Sequence, residues 1–453
     1  MLLTSAEQLS GLNSIIARLE KGGNSLKSLK KIKTFRWGIE LVLMTVFQLI
    51  SLSEIMALAG KYSGKFVGIF AVFLGIEWGY TILMRIILHQ TSFELEFIAF
   101  FLSGISISLI STFDAEYLRE GSAQSADFTT KQLLFIILGL AGFIGLRWLI
   151  GNTDRVSKLR LPMAVMSAGL LAVNILLGEE INGARNWISL GPLGSIQPSE
   201  FVKVLFIFVG AATLEKLQTT RSVTKYIIYA IGCIGALFVM RDFGSAVIFF
   251  ITFLIIAFMR SGDIRTILLI CVAAALGAGL IIFFKPYVAE RFATYRHIWD
   301  TPYDQGMQQT RVLIYSSSGG LFGLGLGKGL LRNVFAATTD LVFGMVCEEY
   351  GMIIAFSILV AFAAIVIYTV ASARQARSSF YAIAACSAAG LLLIQLSLNV
   401  FGVTDLLPLT GVTMPFISRG GSSMISCWML MAFIKSVDPR AYPKTLKETQ
   451  ALG

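Results

Sequence analysis

Charge is what this chain has least of. Only 14% of its 453 residues are Asp, Glu, Lys or Arg, against roughly 25% in a soluble domain. With 56% hydrophobic residues and a mean hydropathy of +0.76, a water-soluble enzyme is excluded. Histidine is almost missing: His89 and His297 are the only two, so no His/Cys metal set can be assembled by spacing. The five cysteines form no CxxC pair and lie in or beside apolar runs, which reads as buried thiols. Nine prolines fall in loops or near the ends of apolar runs, where a lost backbone donor costs least. No nucleophile elbow, Walker loop or dinucleotide fingerprint occurs in a strand–helix context. The first residues, MLLTSAEQLSGLNSIIARLEKGG, lack the basic, apolar, small-residue order of a cleavable signal peptide.

Long apolar runs, by contrast, are plentiful. A membrane span takes about 20 apolar residues, and about twelve are expected: 37–59, 65–86, 95–112, 132–150, 161–178, 198–214, 226–240, 243–259, 266–284, 341–371, 379–401 and 413–434. The fold class is thus an all-α polytopic membrane protein. The net charge of +10 does not signal nucleic acid, because no basic arm with interleaved aromatics is present. It follows from the positive-inside rule. Basic clusters stand at Arg18–Arg36, Arg155–Arg160, Lys216–Lys225, Arg260–Arg265, Arg374–Arg377 and Lys435–Lys447, each separated from the next by an even number of spans. Lys61 and Lys65 in the first outer turn are the exception. Both termini are expected in the cytoplasm. Two outward loops result, 178–197 and the far longer 285–340, against a usual connection of about 4–6 residues. The second carries Trp299, seven Tyr or Phe, a glycine stretch SSSGGLFGLGLGKG, and six basic against three acidic residues up to 339. That is an ordered, cationic outer surface suited to an anionic head group.

Four constellations can carry chemistry. Glu200 and Lys203 sit i, i+3 at the start of a span and can pair; ionisable residues there are costly and are usually functional, with a purely structural ion pair as the alternative. Arg185 and Trp187 just precede them, placed to reach a phosphate or stack on a sugar. Asp242, in RDFGSA, can bind a cation, orient a donor or simply cap the next helix. Asp340, in TTDLVF, closes the long loop at the rim of an outward cavity, where a partly desolvated carboxylate can act as a general base or as a cap. Glu348 and Glu349 follow two turns deeper. Finally, LPLTGVTMPFISRGGSS (407–423) is broken helix, tolerated at membrane depth where it lines a cavity or packs in protein.

The order GARNW…QPSE, DFGSA, GGLFGLGLG, TTD…EEYG and LPLTGV…PFISRGGSS resembles the SEDS family, the FtsW/RodA/SpoVE proteins of bacterial cell-wall synthesis, from about residue 95 to 436. The resemblance implies a ten-span core (91–436) that polymerises lipid II into glycan strands at the outer face of the cytoplasmic membrane, with a class B penicillin-binding transpeptidase as partner. Two extra spans (37–90) precede that core, between a basic cytoplasmic N-terminus (1–36) and, at the far end, a tail (437–453). The same resemblance places the catalytic aspartate on Asp340 and substrate contacts on Glu200, Lys203 and Asp242. Arg185, Arg332 and the other loop bases are expected at the pyrophosphate, Ser422 at the substrate, and a divalent cation (Mg or Mn) at Asp242. The chain departs from the family pattern at Thr338, Leu341, Met240-Arg241 and Arg419, which leaves the carboxylates in place. The competing classes are a lipid II flippase and a non-enzymatic transpeptidase scaffold. A flippase should carry its essential charges near the midplane and show internal repeats, whereas the candidates here cluster toward the outer side. The two extra spans hold no catalytic candidate and are expected to be dispensable for chemistry, Glu77 being the reservation.

Overall fold

The computed structural model describes residues 25–438 except 122–126, 182, 190, 192–193, 216–219, 263, 266–267, 269, 273–294 and 305. Most of the expected span 266–284, the termini 1–24 and 439–453, and part of the long loop therefore lie outside the described residues. Helices dominate. An N-terminal hairpin of α1 (Ser25–Ala59) and α2 (Ser63–Ile87) leads into α3 (Glu94–Arg119), α4 (Phe128–Ile150) and α5 (Thr153–Leu177). Then come α6 (Pro198–Glu215), α7 (Thr220–Val239), α8 (Phe243–Ser261), α9 (Met307–Ser318) and the short α10 (Val342–Met345). The chain closes with α11 (Met352–Ala373), α12 (Ser379–Val403) and α13 (Gly421–Lys435). Seven stretches among the described residues are long and apolar enough to cross a membrane, so the protein is a multi-pass membrane protein.

Three departures from the expected pattern position the site. The loop 178–197 is not structureless, and the chain is not purely helical: β1 (Glu179–Ile181), β2 (Ala184–Ser189) and β3 (Ser195–Ile196) form a small antiparallel sheet, with Gly183 turning the first hairpin at φ 79°. Apolar composition cannot report such a sheet, since its partners are local backbone groups. The expected span 341–371 is interrupted: α10 runs into a π-turn at Val346–Tyr350, and Gly351 (φ 85°) restarts the chain as α11. Such π-turns concentrate at functional sites. The last helix begins only at Gly421, leaving 404–420 irregular, as its prolines and glycines require.

The core sits on α3, α6, α12 and α13, whose residues are buried nearly all round. Lipid supplies no hydrophobic force between helices, so close backbone approach matters. Gly139 on α4 lets Trp428 of α13 lie against it, where a Cβ would come within 2.9 Å of the indole. Trp428 is fully buried among Phe100, Phe143 and Phe416, each edge-on to the indole. Edge-to-face packing of this kind suits the aromatic quadrupole.

Candidate active site

A cavity of about 810 Å³ opens between β2, the starts of α6 and α8, the loop 332–340 and the irregular segment 408–413. Its wall carries Asp340, Glu200, Lys203, Asp242, Trp187 and Arg332 together, residues up to 153 positions apart in sequence.

Asp340 is held by backbone. The carbonyl of Ala336, itself in a left-handed conformation (φ 62°), accepts the amides of Thr339, Asp340 and Leu341. A non-glycine residue in that region is strained and persists where its surroundings fix it. They do: Arg419 N–H donates to Thr338 O at 2.7 Å and Ser418 Oγ–H to Thr339 O at 2.5 Å. Asn399 Nδ2 spans the gap, donating to Asp340 O and Val412 O at 2.8 Å each. Gly411 (φ 70°) faces the Asp340 carboxylate, its missing Cβ lying 3.5 Å from Oδ2. Burial pushes the Asp340 carboxyl above its ordinary value, and the Thr339 hydroxyl pulls it partly back. The side chain does not cap a helix: α10 starts after Leu341 with no side-chain cap. The cap reading of Asp340 therefore does not hold, and its carboxylate faces the cavity.

Glu200 and Lys203 form the floor. Lys203 Nζ donates to Glu200 Oε1 at 2.7 Å and to Gln395 Oε1 at 3.2 Å; Ser426 Oγ donates to Glu200 Oε2 at 2.8 Å. Both charges are nearly fully buried, at 3% and 1% exposure. Gln395 Nε2 continues to Thr413 O at 2.9 Å. The pair thus ties α6 to α12, α13 and the cavity-lining segment at once.

Asp242 is a cap as well as a wall residue. Its Oδ1 accepts Ser245 N–H at 3.0 Å, and its Oδ2 accepts Asn186 Nδ2 at 2.8 Å and Gln197 Nε2 at 3.2 Å. Three N–H donors already surround this carboxylate, and among the described residues no three His, Cys, Asp or Glu side chains are grouped so as to hold a metal ion. Through these contacts Asp242 ties the start of α8 to β2 and to the residue preceding α6.

Two expected contacts sit off the cavity wall. Arg185 is exposed, with Nε donating to Gly178 O at 2.7 Å, while its neighbour Asn186 is buried. Ser422 is buried behind the wall and accepts Gln197 N–H at 3.0 Å, reaching the cavity only through Gln197. Arg332 is on the wall but anchored, paired with Glu116 at 2.6 Å and donating to Gly327 O and Thr112 O. Arg241 and Arg419 also line the cavity. Sequence reading missed Asn186, Gln197, Gln395 and Asn399. The last two carried a signal: amides four apart in an apolar span are costly there and need partners.

A multi-pass helical membrane protein with several carboxylates converging on one cavity is the class these features define. The chain belongs to the FtsW/RodA/SpoVE family of cell cycle proteins, whose model matches residues 91–442. It is 31% identical to a probable peptidoglycan glycosyltransferase FtsW of Saccharophagus degradans, over 74% of this chain and 89% of that one. It is 28% identical to the peptidoglycan glycosyltransferase RodA of Mycobacterium tuberculosis, over 74% and 75%. Among solved structures it resembles a chain reported under "structural coordination of polymerization and crosslinking by a peptidoglycan synthase complex", with TM-score 0.62, 25% identity and coverage of 78% of this chain and 99% of the other. Thermus thermophilus RodA, a rod shape determining protein, shares the fold with TM-score 0.55 and 24% identity, over 76% and 95%.

Proposed function

We propose that this protein is a peptidoglycan glycosyltransferase that polymerises lipid II into glycan strands at the outer face of the bacterial cytoplasmic membrane. Family membership and the names of its relatives support the activity. The observation that carries the site is the half-buried Asp340 carboxylate on the wall of a cavity that also holds Glu200–Lys203 and Asp242. In the reaction, Asp340 takes the proton of the acceptor sugar hydroxyl as its oxygen attacks the anomeric carbon of the donor. The bond from that carbon to the lipid pyrophosphate breaks, and inversion gives a β-linked product. Lys203, Arg241, Arg332 and Arg419 supply the positive wall near which the leaving group's charge is stabilised. A class B penicillin-binding transpeptidase is the proposed partner, in keeping with a structural relative that belongs to a synthase complex. The test is polymerisation of lipid II by the purified chain.

Because burial raises the Asp340 carboxyl, its base form is lost on acidification earlier than for an ordinary aspartate, near roughly pH 3.9. The acid limb of kcat/KM is therefore expected above that value. A pH–rate profile checks this; a limb at or below that value would remove Asp340 as the titrating group.

We also propose twelve spans, both termini inside and the long loop outside, on the basic-cluster alternation. Thiols introduced at Gln124 and Gln305, positions outside the described residues, should label from outside sealed cells, and one at Gln375 should not. Labelling at Gln375 would invert the topology.

A further inference from the structure

The hairpin α1–α2 lies outside the family match of 91–442, yet it holds the loop that leads to Asp340. Glu54 Oε2 accepts the backbone N–H of Leu326 at 2.8 Å. One turn further on, Leu58 packs against Gly327, where a Cβ would lie 2.5 Å from Leu58 Cδ2. One turn earlier, Ser51 Oγ meets Tyr350 OH at 3.1 Å, and Phe47 stacks on the Tyr350 ring at 5.7 Å. Phe47, Ser51, Glu54 and Leu58 recur at spacings of four, three and four, which is one face of a helix. That face is turned to one module, with Phe47 also packed on Phe101 of α3 at 5.4 Å.

The module is built on buried carboxylates. Glu348 accepts the amides of Leu330 and Leu331 at 2.6 and 3.0 Å, and Glu349 accepts that of Gly327 at 3.0 Å. Leu324 and Gly325 donate to the carbonyls of the same two glutamates. Gly325 (φ 96°) has both Glu54 Oε2 and Lys328 Nζ within 3.4 Å of where its Cβ would be, so a side chain there would be strained in its backbone and would press on both groups. From this module the chain runs through Arg332, anchored on α3, into the Ala336 turn that fixes Asp340. Glu348 and Glu349 grip the glycine stretch from inside, and α1 grips it from the other side.

We propose that the N-terminal hairpin is a built-in clamp on the catalytic loop and that Glu54 is a positioning residue for Asp340, acting through the amide of Leu326. This rests on the polymerase reading above. It reverses the expectation that the two added helices are dispensable for chemistry. Holding the loop rigid keeps the base within reach of the acceptor hydroxyl, and a displacement of about 1 Å costs on the order of 100-fold in rate.

The test uses the full chain in detergent or vesicles, with wild type, Glu54→Ala, Glu54→Gln and Asp340→Asn side by side. Glu54→Ala is expected to lower kcat for lipid II polymerisation by about 10- to 100-fold, with KM within about twofold and an unchanged thermal midpoint. Glu54→Gln, which keeps an acceptor oxygen, should recover most of the rate. Amide exchange over 319–331 should quicken in Glu54→Ala while α12 and α13 stay protected. Wild-type kcat in Glu54→Ala overturns the proposal whatever the exchange shows. Equal losses of rate and thermal midpoint in both Glu54 variants also overturn it, leaving Glu54 a stability residue only. An active Asp340→Asn would instead break the underlying catalytic assignment, and so is distinguishable.

Discussion

Asp340→Asn is expected to lower polymerisation of lipid II by at least about 100-fold, within the 10²–10⁴ range a positioned base contributes. The fold should not suffer. Asn keeps the size, and the contacts that fix this residue run to its backbone, from Ala336 and Asn399. Stability should move the other way. The Asp340 carboxyl is raised in the folded protein by burial, so its charged form is disfavoured on folding. A raised acid contributes stability below its unfolded pKa and loses it as pH rises through the folded one. At neutral pH the variant lacks that penalty and should melt at or above the wild-type temperature. A dead variant with a lowered midpoint would point to a structural role instead. Asp340→Glu should recover little, since one more methylene moves the oxygens away from the hydroxyl.

Glu200→Gln should have the largest effect on stability. Lys203 is 1% exposed and its nearest anion is Glu200 at 2.7 Å. Removing one member of a buried pair leaves the other uncompensated, at a cost of about 3–5 kcal/mol. The loss should spread, because the network through Gln395 and Ser426 joins α6 to α12 and α13. Thermal unfolding in detergent checks it. Replacing both, as Glu200→Gln with Lys203→Met, should cost less than the two single losses added, since neither charge is then stranded. Additive losses would mean that the two side chains do not act as a pair.

The motifs carried the core of this account. Intramembrane charge marked Glu200 and Lys203, and the loop–span junction marked Asp340, because a carboxylate at membrane depth is improbable without a role. Placement relative to one another was not legible. Arg185 reads as a phosphate ligand in a loop but not in a strand, and the sheet that carries it depends on backbone pairing that hydropathy does not record. Ser422 reads as a substrate contact within broken helix, whereas its hydroxyl holds the Gln197 amide from behind the wall. Asp242 supported both a cap and a ligand reading. The cap is seen in the Ser245 N–H bond, while the contacts from Asn186 and Gln197 come from a distant loop that the local sequence does not point to. The role of α1 was hidden for a related reason: Phe47, Ser51, Glu54 and Leu58 share a face, but what that face meets lies about 270 residues away.

The central claim is that this chain itself joins lipid II units with Asp340 as base. Purified full-length protein, incubated with lipid II in the presence and absence of a class B transpeptidase, measures it directly when products are resolved as a glycan ladder. The account predicts strands of increasing length from the wild type and none above background from Asp340→Asn at matched expression. Wild-type protein that moves lipid II across a vesicle membrane yet forms no strands, or an Asp340→Asn protein that forms them at near-native rates, would contradict it.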